Sequence, residues 1–221
     1  LENTLKEYPG DTQAALDLAW CHLQNDRHDL AQEVAQTIDR ETADPFDYHN
    51  LYGKLYHRTE RFAESAEHLA QVVAILRTME PDGTEKTAKR IRRLPEMLQI
   101  WGNSLMQTGK REEALHAFEE AMALAPDDPK VLTLMGNIHF STGEYEKALA
   151  VLNHIIEVSP GSRFAYLMQA MCLYKLRRDR DAFDAVNRAL GFLGGDLTVY
   201  LLKMQILLRN GAYEEVHEIL D

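Results

Sequence analysis

Nine histidines, two cysteines and several paired acids are the residues of this chain with the most reach for chemistry. A metal site draws three or four such ligands together, most simply from histidines one helical turn apart. No two histidines here stand at i and i+4, and Cys21 and Cys172 are far from any Cys-x-x-Cys spacing. Catalytic signatures are equally absent: there is no glycine-rich phosphate loop, no His-Glu-x-x-His and no Gly-x-Ser-x-Gly. Glu112-Glu113, Glu119-Glu120 and Glu214-Glu215 read as solvated helix faces, and acids in a first helical turn suit the positive end of its dipole. The sequence therefore predicts no catalytic residue, no metal site and no cofactor. A net charge of −11 argues against nucleic acid, whose phosphates draw proteins in through Lys and Arg. No apolar run approaches the roughly 20 residues that a membrane-spanning helix needs.

The elements that carry these residues follow from a repeat. Pro95 to Asp128 and Pro129 to Ser162 are both 34 residues long and superimpose without a gap. Pro95 falls on Pro129, Gly102 on Gly136, Asn103 on Asn137, Gly109 on Gly143, Ala114 on Ala148 and Pro126 on Pro160. A fixed period of this length marks stacked supersecondary units. The same frame divides the chain into units 12–45, 46–79, 95–128, 129–162, 163–196 and an incomplete 197–221, with an insertion at 80–94. Pro9 stands where a preceding unit would close, and the ends of the chain suggest a segment of a longer protein.

Each unit reads as two helices. Val131, Leu132, Met135, Ile138 and His139 recur at helical spacing, Ser141-Thr142-Gly143 breaks the pattern, and Tyr145 to Ile156 resumes it. The eighth and twentieth places are small (Gly102 and Ala114, Gly136 and Ala148), which lets paired helices approach closely. Cys21 and Cys172 share the tenth place and are expected to be buried packing residues. In the insertion, Thr84 and Glu85 can start a helix. Its cations Lys86, Lys89, Arg90, Arg92 and Arg93 are expected to be solvated, with a docking patch for an acidic partner as the functional alternative.

The spacing of Gly, Tyr, Ala and Pro, above all the run from Gly136 to Leu149, resembles the tetratricopeptide repeat family. The resemblance implies an all-α fold: an α-solenoid of antiparallel helix pairs wound into a right-handed superhelix. It implies a non-catalytic scaffold that takes an extended peptide or partner segment in its concave groove. The alternative is an accessory arm of a larger enzyme, of glycosyltransferase, sulfatase or protein-modifying type. In this family the second, fifth, ninth, twelfth and thirteenth places of a unit meet the ligand. Carried over, they give Gln99, Asn103 and Gln107 in the third unit and Lys130, Thr133 and Asn137 in the fourth. The fifth gives Phe164, Leu167, Met171 and Tyr174, and the sixth adds Leu201, Leu208 and Arg209. The amides can each donate and accept, which suits a peptide backbone. The apolar residues need a cover, and self-association through this C-terminal face is one. The family's clamp for a chaperone's C-terminal carboxylate is not matched: of its five positions only Asn103 agrees, against Gln99, Leu134, Phe164 and Met168.

Overall fold

A computed structural model describes residues 10–193 and 196–220. Pro9 lies outside the described residues. Every regular element among them is a helix, and consecutive helices pack as antiparallel pairs, an all-α architecture of solenoid type. The chain falls into two compact units, Leu1–Leu124 and Ala125–Asp221.

The first unit contains α1 (Thr12–Gln24), α2 (His28–Ala35), α3 (Pro45–Arg58), α4 (Phe62–Thr78), α5 (Glu85–Ile91), α6 (Leu94–Gln107) and α7 (Arg111–Leu124). The second contains α8 (Pro129–Ser141), α9 (Tyr145–Val158), α10 (Arg163–Lys175), α11 (Asp179–Leu193), α12 (Leu197–Arg209) and α13 (Tyr213–Leu220). The first helix of most pairs is opened by a short polar cap. Asp11, Asp44, Asp128, Ser162 and Asp196 each accept a backbone N–H from their own first turn. This satisfies a donor that the helix leaves without an internal partner.

The turn between paired helices has one geometry throughout. Its fifteenth place carries a positive φ in all cases: Gly109, Gly143 and Gly211, but also Asp26, Glu60 and Arg177. The following N–H then bonds back to the eleventh-place carbonyl, as in Lys110 to Leu105 at 2.9 Å, Glu144 to His139 at 2.8 Å and Arg178 to Leu173 at 3.0 Å. These six-to-one bonds close each first helix in the manner of a Schellman cap. Three of the six turns thus hold a side-chain-bearing residue in the left-handed region that favours glycine.

Column chemistry explains the packing inside each unit. Ser65 and Ser104, buried where alanine or an apolar residue would otherwise stand, bond to one another at 2.9 Å. Ser65 also donates to the Gly53 carbonyl at 2.8 Å, and the His57 ring meets Ser104 at 3.0 Å. Two buried hydroxyls therefore satisfy each other across α4 and α6. The tenth place faces the preceding pair, and this corrects one expectation. Cys172 is buried but Cys21 is exposed, because α1 meets no earlier helix among the described residues. Both thiols are free.

The insertion also departs from expectation. Helix α5 is capped by Thr84 and lies against the start of α3, where Arg90 is largely buried. Its guanidinium reaches Asp47 at 2.6 Å and Asp44 at 3.0 Å, and sits 4.6 Å from the Phe46 ring centroid. Lys86 lies about 4 Å from the same two carboxylates. Burial opposes ionisation of Asp44, but the Asp47 N–H and the Arg90 guanidinium outweigh it and hold the carboxyl below the usual carboxylate range. The basic cluster is thus neither wholly solvated nor an open patch: Arg90 pins α5 to the cap of α3, Arg93 is half-buried, and Lys86, Lys89 and Arg92 are exposed.

Candidate functional site

In the first unit, α6 carries the predicted amides on the side that the helix pair leaves open. Gln107 is exposed and Asn103 half-buried, while Gly102, Ser104 and Leu105 on the opposite side are buried. Gln99 departs from this. It is only 7% exposed, so its amide is not presented at the surface. In α8 of the second unit, Lys130 and Asn137 are exposed, and Thr133 and Phe140 half-buried. The Thr133 hydroxyl donates to the Pro129 carbonyl at 2.6 Å, which ties it to its own helix. The side-chain amides of Asn103, Gln107 and Asn137 make no hydrogen bond among the described residues.

The apolar side of the prediction divides. Phe164, Leu167, Met171 and Tyr174 on α10 are half-buried, and Tyr174 is covered by a residue expected beside it on the ligand side. The Arg209 guanidinium stacks 3.7 Å from the Tyr174 ring centroid and donates to the Tyr174 carbonyl at 3.1 Å. The apolar surface that does stand open lies on α12, where Leu197, Leu201 and Leu208 are exposed at helical spacing.

Two further clusters lie outside the places carried over from the family. The first lies on α3 and α4, where the Nδ1 atoms of His49 and His68, 19 residues apart, share a hydrogen bond of 3.1 Å. Tyr48, Tyr52 and Tyr56 line one face of α3 beside them, and Tyr52 stacks on His68 at 5.2 Å while donating to the Ala35 carbonyl at 2.7 Å. Burial, reinforced by His49 and Arg40, pulls the His68 ring down to about 4, and burial lowers His49 as well. In that contact one ring nitrogen donates to the other. No group of three metal-ligating side chains is found among the described residues.

The second cluster lies on the first helices of the first two pairs. Trp20, Leu23 and Gln24 of α1, Lys54 and Arg58 of α3, and Arg93 enclose a hollow of about 410 Å³. Trp20 and Gln24 occupy the same ninth and thirteenth places as Lys54 and Arg58, so the 34-residue register is the signal in the sequence that marks them. A larger hollow of about 490 Å³, on the α4 side of α6, has Ala63, Ala66, Ala70 and Trp101 on its wall with Glu67, Lys110 and Glu113 at its border, acids outnumbering the one cation.

The model of the tetratricopeptide repeat family matches residues 1–55 and 105–171 of the chain. No curated protein matches it. Among solved structures, YrrB, described as a TPR protein with an unusual peptide-binding site, aligns over 91% of this chain and 96% of its own at 13% identity, with a TM-score of 0.71. MamA from Desulfovibrio magneticus RS-1 aligns over 80% of this chain and 92% of its own at 16% identity and a TM-score of 0.67. MamA AMB-1 does so over 79% and 87% at 20% identity and a TM-score of 0.63. These likenesses are of fold.

Proposed function

Because the chain belongs to the tetratricopeptide repeat family, we propose that it is a non-catalytic scaffold that holds an extended segment of another protein against the first helices of its pairs. One observation carries this reading. Asn103, Gln107 and Asn137 stand at the outward places of α6 and α8 with side-chain amides that bond to nothing among the described residues. An amide can donate and accept at once, which matches the alternating N–H and C=O groups of an extended backbone. Helices fixed by buried columns present these groups already ordered, so association forfeits less conformational freedom than it would with a flexible loop. The description of YrrB as a peptide binder fits the same use of the fold.

The test replaces Asn103 and Asn137 together by alanine and measures affinity for a peptide taken from a captured partner. Losing a peptide hydrogen bond at each site weakens binding by about tenfold or more, while the helical melting curve stays nearly in place because neither side-chain amide bonds to a described residue. Unchanged affinity in a variant that melts normally overturns the reading.

A further inference from the structure

The hollow between α1 and α3 is a cationic pocket in an acidic chain. Three cations border it, Lys54, Arg58 and Arg93, although the protein as a whole carries −11. Their internal compensation is incomplete. Lys54 bonds to Glu96, and Arg93 reaches the same carboxyl at 3.5 Å, so one acid serves two bases. Arg58 is 63% exposed, with Asp26 4.0 Å away as its one ion-pair partner among the described residues. Burial lowers the Lys54 ammonium pKa, and the fields of Arg93 and Arg58 add to that against the pull of Glu96. Like charges are therefore held together around a space that one more anion would relieve. Trp20 forms one wall, 5.8 Å from the Lys54 ammonium, and offers an apolar surface beside the charges.

The spacing identifies the form of that anion. Lys54 and Arg58 are one turn apart on α3, so their stems emerge about 6 Å from each other. Alternate residues on one face of an extended chain lie about 6.6–6.8 Å apart. Two carboxylates in an acid-x-acid run meet the two cations in register, whereas a single chain terminus brings only one. We propose that this hollow is a subsite for the side-chain carboxylates of an acidic extended segment of the partner protein. It rests on the reading of the first helices as the binding face and gives the partner its chemistry.

The probe is a Glu-Leu-Glu-Leu-Glu peptide with fluorescein amide-linked through a glycine spacer to its N-terminus and an amidated C-terminus, titrated into the whole chain at low ionic strength and followed by anisotropy. The glutamine counterpart should bind about tenfold or more weakly, and Arg58→Glu should weaken the acidic peptide by at least about as much, the usual scale for lost charge-assisted hydrogen bonds. Arg111→Glu, which reverses an exposed cation away from the hollow, should change little, and added salt should weaken binding. Equal affinity for the two peptides, an unaltered Arg58→Glu, or an equal loss in Arg111→Glu overturns the proposal. So does binding that appears only when the peptide's terminal carboxylate is left free. If the acidic peptide fails while the Asn103 and Asn137 variant still loses its natural partner, the subsite falls and the scaffold reading stands. The opposite pair of results keeps the subsite and removes the amide places on α6 and α8.

Discussion

Alanine at Gly102 will destabilise the first unit, whereas alanine at Gly136 will stabilise the second. Both glycines occupy the eighth place of a first helix, and both substitutions gain about 0.8–1 kcal/mol of intrinsic helix preference. The difference lies across the helix pair. A Cβ at Gly102 would stand 2.7 and 2.8 Å from two ring carbons of Phe118, which is fully buried and cannot swing aside. At Gly136 the nearest atom is a Leu152 methyl at 3.5 Å, an ordinary contact. Overpacking a filled core costs about 1–3 kcal/mol, which exceeds the gain at Gly102 and has no counterpart at Gly136. The column is tight at Gly102 against Phe118, and at Gly53 against Leu69 at 2.8 Å, and looser at Gly136 against Leu152. Adding Phe118→Leu to Gly102→Ala should restore much of the lost stability by recreating the looser pair. Thermal melting followed by far-UV circular dichroism reads the two signs. A rise in stability for Gly102→Ala would show that the ring is not confined as described.

Removing Arg209 will destabilise the second unit markedly for a side chain that still reaches solvent. The side chain closes three elements at once: it donates to Asp179 at 2.9 Å, to the Tyr174 carbonyl at 3.1 Å, and covers the Tyr174 ring. The pair is 17% and 23% exposed, so water screens it in part. Asp179 also keeps the favourable start of α11 when its partner is gone. Arg209→Ala should therefore cost about 2 kcal/mol, less than the ~3–5 kcal/mol of breaking a fully buried pair. Arg209→Lys should fall between, because an ammonium keeps the charge but loses the forked geometry and the flat stacking surface. Urea unfolding of the second unit measures both, and an Arg209→Ala variant within a few tenths of the parent would contradict the account.

The repeat was legible because helix pairs impose local, periodic demands. Small residues recur at Gly102 and Gly136, helix-opening caps at Asp128, and turn glycines at Gly109 and Gly143, each a short-range requirement written into a fixed place. The turns at Asp26, Glu60 and Arg177 adopt the same positive φ without the glycine that would announce it, since the packing of the two helices over-determines the turn. Of the candidate site, the places on α6 and α8 were readable from the register, but burial was not: Gln99 turns inward and Tyr174 is covered by Arg209. What escaped altogether depends on residues distant in sequence. His49 meets His68, Arg90 meets Asp44 and Asp47, and Lys54 meets Glu96 42 residues away. Nothing in a local pattern marks such pairs, because each half is an ordinary surface residue until a neighbouring helix arrives.

The central claim is that partner proteins lie along the first helices of the pairs, and site-specific photocrosslinking tests it most directly. A photoreactive residue is placed in turn at Gln107 and Asn137, both exposed on first helices, and at Glu119 and Glu146, both exposed on second helices. The account predicts crosslinks to a captured partner from Gln107 and Asn137 and none from Glu119 or Glu146. Crosslinks confined to the second helices would contradict it.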